Sequence, residues 1–245
     1  MKTFGKILFF ASAAFACANA VLAYQNPGAP KGFVNDFANV IPAAQRTALE
    51  SKLSIFEKTT GNEIAVATVP SLGGDTVDNF AVKLFEDWGI GKKGADNGIL
   101  ILVAPNDREA RIEVGYGLEP TVTDADASII IRTVMLPAFK NGDYYAGVDG
   151  ATDKIIGLIK NDPQAVKFIE ENSAPQSVPP FVPVIILIIL IILLSTRGGR
   201  RVLFYMFISG FFRGGRGGNN DRFGGGGFGG FGGGRSGGGG ASGSW

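Results

Sequence analysis

Three carboxylates and an amide, Asp96, Asn97, Glu119 and Asp124, fall within the single stretch DNGILILVAPNDREARIEVGYGLEPTVTD. Oxygen donors with no nitrogen or sulfur donor beside them suit a hard divalent cation such as calcium or magnesium. The stretch itself suggests how they would meet. Two apolar runs, Gly98 to Ala104 and Ala110 to Gly115, flank the polar loop PNDRE, which is the pattern of an antiparallel hairpin. Pairing Ala104 with Ala110 sets Gly98 opposite Tyr116 and Asp96 opposite Leu118. That register gathers Asp96 and Asn97 at one rim, beside Glu119 and a helix start near Asp124. The opposing reading is of turn and cap residues that face water.

Composition narrows the chemistry. The 245 residues include no histidine, which removes Ser-His-Asp catalysis, histidine phosphatases and imidazole-based zinc sites. Any catalysis falls to carboxylates, Lys, Arg, Tyr, Ser/Thr or a metal. The net charge of +1 conceals an asymmetry: 21 acids face 14 bases from Tyr24 to Val178, and seven arginines face one aspartate after Ser195. An acidic domain and a basic tail are suited to different surroundings. The single cysteine, Cys17, falls in residues 1–23, where a positive start, an apolar run and Ala18-Asn19-Ala20 or Val21-Leu22-Ala23 read as a secretory signal peptide. Cleavage before Tyr24 leaves no cysteine for a disulfide.

The elements that must position the rim follow in order. Residues 24–32 are Pro/Gly-rich and read as a linker. A helix starts after Pro42, carries Leu49, Leu53 and Phe56, and stops at Gly61; EIAVATV then supplies the first central strand. A second helix from near Asp75 places Val77, Phe80, Ala81, Leu84, Phe85 and Trp88 on one face, which makes Trp88 a core residue. After the hairpin, Thr123 and Asp126 form a capping box for a third helix that closes at Pro137. A fourth runs through Ala146 and Val148 to about Ile159. Strands interleaved with helices predict an α/β domain over 33–161 with helices on both sheet faces.

The remainder is of another kind. Residues 162–180 read as a linker. Residues 181–196 hold an uninterrupted Ile/Leu/Val run that reads as a transmembrane helix. Arg197, Arg200 and Arg201 follow it and belong in the cytoplasm, so the domain is expected outside and the tail inside. The segment 197–212 is basic and aromatic; its apolar part is too short to span by itself, and crossing as a hairpin would move the tail to the other side. Residues 213–245 are dominated by glycine and are expected to be disordered. Four arginines in that tail, following a membrane anchor, disfavour nucleic acid as a partner.

The quoted pieces VNDFANVIP, KTTGNEIAVATVPSLGG, NFAVKLFEDWGIGKKGADNGILILVA, RIEVGYGLEPTVTDADA and MLPAFKNGDYYAGV together resemble the TPM domain family over essentially all of 33–150. The end Gly240-Ala241-Ser242-Gly243-Ser244-Trp245 is similar to that of a bacterial, membrane-anchored subgroup. The resemblance implies an α/β/α sandwich of four helices and a mixed sheet of about four strands. It also implies divalent-cation binding at one edge in some members and an acid phosphatase activity in a plant relative. Carried over by position, it adds Asp36 to Asp96, Asn97, Glu119 and Asp124 as metal ligands. Arg111, in the matching RIEVG, reads as an exposed strand residue.

The resulting expectation is a single-pass protein of the bacterial cell envelope. Its extracytoplasmic domain would bind calcium and dock an unidentified membrane or envelope protein in assembly or maintenance of a complex. A metal-dependent phosphatase and a ligand-free scaffold are the alternatives. For the phosphatase, Asp124-Ala125-Asp126 matches an Asp-x-Asp nucleophile motif but opens a helix rather than ending a strand.

Overall fold

A computed structural model describes residues 24–173 and 231–245. The expected signal peptide (1–23), membrane segment (181–196) and basic segment (197–212) lie outside the described residues. Five strands form one mixed sheet in sequence order: β1 (Val34–Asp36), β2 (Glu63–Thr68), β3 (Gly98–Ala104), β4 (Glu109–Gly115) and β5 (Ser236–Ser244). β1, β2 and β3 run parallel, and β4 is antiparallel to both β3 and β5. Among the described residues there are five helices: α1 (Ala43–Thr60), α2 (Val77–Trp88), α3 (124–140), α4 (Tyr144–Ile159) and α5 (Pro163–Asn172).

Helices cover both faces of the sheet, which explains why β2 and β3 are buried along their whole lengths. Alternation sends Ile64, Val66, Ile99, Ile101 and Val103 into a core with Leu49, Leu53 and Phe56 of α1 and the apolar sides of α3, α4 and α5. Ala65, Ala67, Leu100, Leu102 and Ala104 turn the other way, onto Phe80, Leu84, Phe85 and Trp88 of α2. The small alanines on this face let one helix approach closely. Each fully buried Leu, Ile or Phe contributes about 1.5–3 kcal/mol.

Four expectations are corrected. The hairpin pairs one residue away from the expected register: Val103 faces Ala110 and Ala104 faces Glu109. The loop holds only residues 105–108, closed by the Arg108 amide on the Pro105 carbonyl with Arg108 at φ 56°. Loop length fixes hairpin register, and a slip of one residue exchanges the faces. Pro137 does not end the third helix. A π turn at Ile131–Met135 precedes it, so the proline enters the first turn of Leu136–Lys140, where its missing N–H is tolerated. Residues 163–172 form α5, capped by Asp162, with Ala165 and Ile169 buried against the core, where a linker was expected.

The fourth correction concerns the tail. Residues 236–244 are the fifth strand, paired with β4 from Glu109↔Ser244 to Gly115↔Ser236. A composition too poor in apolar side chains to form a core can still add to an existing sheet through its backbone. Among the described residues, β5 and the rest of the domain share one sheet. The stretch 24–32 is also seated: Tyr24 packs on Phe80, and the Trp88 indole donates to the Gly28 carbonyl at 2.9 Å.

Candidate functional site

Asp96 sits at φ 49°, a left-handed conformation that aspartate tolerates better than most residues. Its amide donates to the Lys92 carbonyl and its own carbonyl accepts from Gly117, which fixes the rim beside the start of β3. A Cβ on Gly117 would lie 2.0 Å from the Ala95 carbonyl oxygen, so only glycine fits there. The Asp96 carboxylate then accepts the amide of Arg235 at 2.9 Å. Asp124, in the first turn of α3, accepts the amide of Gly240 at 2.6 Å. Glu119 lies against Gly239, where an added Cβ would come within 2.6 Å of its Oε1. These three acids are therefore strung along the tail strand rather than gathered around a point.

The other two expected ligands are placed elsewhere. Asn97 accepts the Lys92 amide through Oδ1 and donates through Nδ2 to the Gly61 carbonyl and Asn62 Oδ1, fastening the rim to the end of α1. Asp36 stands beside Thr68, at the opposite end of β2 from Glu63, which pairs with Gly98. That is roughly 17 Å of strand away from the rim. Its carboxylate accepts from the Val40 and Ile41 amides at 3.1 and 3.0 Å and from the Thr68 hydroxyl at 2.5 Å, with Arg46 at 3.9 Å. The donor set does not fit one divalent ion. Among the described residues no group of three or more acidic, cysteine or histidine side chains could hold a metal, and no buried side-chain nitrogen or oxygen lacks a partner.

Sequence reasoning missed the polar centre of the site. Arg111 is 6% exposed and Glu113 is fully buried. Both are on the α2 side of β4, opposite Leu102 and Leu100. Arg111 Nε donates to Glu113 at 2.6 Å, a second nitrogen donates to Asp78 of α2, and the third reaches the Gly238 carbonyl at 2.9 Å. The Ser236 hydroxyl donates to the other oxygen of Glu113. Burial pushes the Glu113 carboxyl above its ordinary range, against the lowering effects of the Ser236 hydroxyl and of Arg111. Charged residues at alternate positions of an otherwise apolar strand, Glu109, Arg111 and Glu113, were the available signal.

Aromatic anchors close the two ends of the tail. The ring of Trp245 meets Phe139 at 4.9 Å and Tyr144 at 6.1 Å, and its amide donates to the Arg108 carbonyl. Phe231 stacks on Trp88 at 6.5 Å between ring centres. Between the anchors the fit is tightest at Gly240, where the obstacle is backbone. A Cβ on Gly240 would stand 1.9 Å from the Ile112 carbonyl oxygen, and one on Gly237 would stand 2.2 Å from the Tyr116 hydroxyl. The arrangement can hold an extended, small-residue strand by its backbone and by one buried ion pair.

No curated protein matches the chain. Among solved structures it is similar to the N-terminal domain of a P. gingivalis protein, determined by solution NMR: 28% identity, 58% of this chain and 96% of that one covered, TM-score 0.52. The N-terminal domain of the cg2496 protein from Corynebacterium glutamicum also matches, at 16% identity over 64% of this chain and 91% of that one, with TM-score 0.40. A family model described as the TPM domain matches residues 34–158. That span is just over half of the chain and runs from β1 to the penultimate residue of α4, so the chain belongs to the TPM domain family.

Proposed function

We propose that the chain is a docking module of the bacterial cell envelope. Its extracytoplasmic domain is held at the bilayer through 181–196 and receives an extended, glycine-rich strand along β4. The observation that carries this reading is the use of the rim acids: Asp96 and Asp124 accept main-chain amides of the tail, at Arg235 and Gly240, while Arg111 and Glu113 take Gly238 and Ser236. Strand addition to a sheet edge draws affinity from the main chain and specificity from alternate side-chain pockets. The phosphatase alternative would have to work without Arg111 and Asp126, since Arg111 is committed to Glu113, Asp78 and Gly238 and the Asp126 carboxylate caps α3.

The test uses the full chain carrying Gly240→Val, whose own tail cannot seat. A fluorescein-labelled peptide of sequence FGGGRSGGGGASGSW should bind this variant about tenfold or more tighter than it binds the wild type, whose groove is already filled. Saturable binding to the variant supports docking. A folded Gly240→Val chain that leaves the peptide free would overturn it.

A further inference from the structure

A run of glycine specifies register weakly, because it has no side chains to send to alternate faces of a sheet. In β5 the tightest steric demand falls at Gly240, where a Cβ would stand 1.9 Å from the Ile112 carbonyl oxygen. Gly237, Gly238 and Gly239 precede it and meet that demand equally well. Shape at this point therefore admits the observed pairing and slides of one, two or three residues along β4. Slid by two, Gly238 would take the place of Gly240, and Ser242 rather than Ser244 would face Glu109.

One irregularity breaks this uniformity. β5 pairs evenly with β4 from Ser244 to Gly239, after which Gly115 faces Ser236. Gly237 and Gly238 are thus extra residues that bulge from the ladder, with Gly238 at φ 85°. The buried charges of β4 grip this bulge. Arg111 donates to the Gly238 carbonyl at 2.9 Å. The Ser236 hydroxyl accepts the Gly238 amide at 3.2 Å and donates to Glu113. Arg111 is in turn held by Glu113 and by Asp78 of α2. The grip calls for a hydroxyl residue, one spacer and then a residue that tolerates positive φ. Among residues 231–245 only Ser236 is followed by two glycines.

We infer that Arg111 and Glu113 are positioning residues that fix the register of β5, by accepting the sequence Ser-Gly-Gly at one place along the strand. Replacing a buried ion pair by apolar side chains of similar volume is often neutral for stability, and setting register is the best-attested use of such a pair. The inference concerns the pairing of β4 with β5 and stands or falls apart from the docking reading. A second anchor, Trp245 against Phe139 and Tyr144, acts at the far end of the strand, so the test removes it.

Register is read by disulfide trapping in full chains that carry Cys17→Ser and Trp245→Ala. One set combines Glu109→Cys with Ser244→Cys, the observed register; the other combines Glu109→Cys with Ser242→Cys, the slide of two. Internal disulfides are counted by mass after free thiols are blocked. With Arg111 and Glu113 in place, only the 109/244 pair should close. Replacing both together, Arg111→Met with Glu113→Leu, leaves neither charge buried alone, and the 109/242 pair should then close to a yield comparable with 109/244. Ser236→Ala alters no residue of β4 or α2 and should admit the slid pair as well. Three results would each overturn the inference: closure of 109/242 with the charges and Ser236 intact, failure of 109/244 to close there, or a slid pair absent from both variants.

Discussion

Glu113 has no contact with solvent and gains its partners from two sources, Arg111 on its own strand and Ser236 on the tail. A buried carboxylate that loses one partner is costly, since the remaining charge is left uncompensated. The tail thus completes a network that β4 alone leaves half made. Burial raises the Glu113 carboxyl above the range of an unfolded one. Its contribution to stability is then fully present below the unfolded pKa of about 4.3 and is lost as pH rises through the folded value. Burial raises Glu63 in the same direction, so part of the slope belongs to that residue. Glu113→Gln should remove the Glu113 part of the loss, giving a flatter curve of melting temperature against pH than the wild type above that range. Equal slopes in the two proteins would show that Glu113 does not titrate between the folded and unfolded states.

The elements separate what holds the fold from what receives a ligand. Asp36 joins the end of β1 to the chain leading into α1 and to Thr68 of β2. Three donors would lose their acceptor in Asp36→Ala, at about 1–3 kcal/mol for a buried group left unsatisfied. The variant should therefore melt earlier, by an amount unchanged in millimolar calcium. A loss that grows with calcium would restore Asp36 as a ligand. Most of the helices and inner strands were legible in the chain. Leu49, Leu53 and Phe56 recur at helical spacing, α2 has a sharply one-sided apolar face, and Thr123 with Asp126 forms the expected cap. Of the four corrected readings, α5 stands where Pro and polar residues suggested a linker, and the other three failed for physical reasons. The hairpin register depended on whether Glu109 belonged to the loop or the strand. Pro137 was accommodated by a π turn that composition does not reveal. The glycine-rich end has no apolar alternation, so its strand is specified by the groove that receives it. The site was half legible for the same reason: Asp96, Glu119 and Asp124 do border one structure, but that structure is a distant strand.

Among the described residues, the first and the last belong to one compact unit. Its first described residues pack on α2 and its last ones complete the sheet beside β4. The strand Ser236–Ser244 carries no charge of its own, so the rim acids hold the tail by main-chain amides. Arg235 supplies one of these, with its amide on Asp96. The most direct test is hydrogen exchange on the full-length protein in membranes or detergent, followed at residues 236–244. The account predicts protection of these amides comparable to that of β4, lost in Gly240→Val while β2 and β3 stay protected. Exchange of the wild-type segment at the rate of an unstructured peptide, within the first seconds, would contradict it.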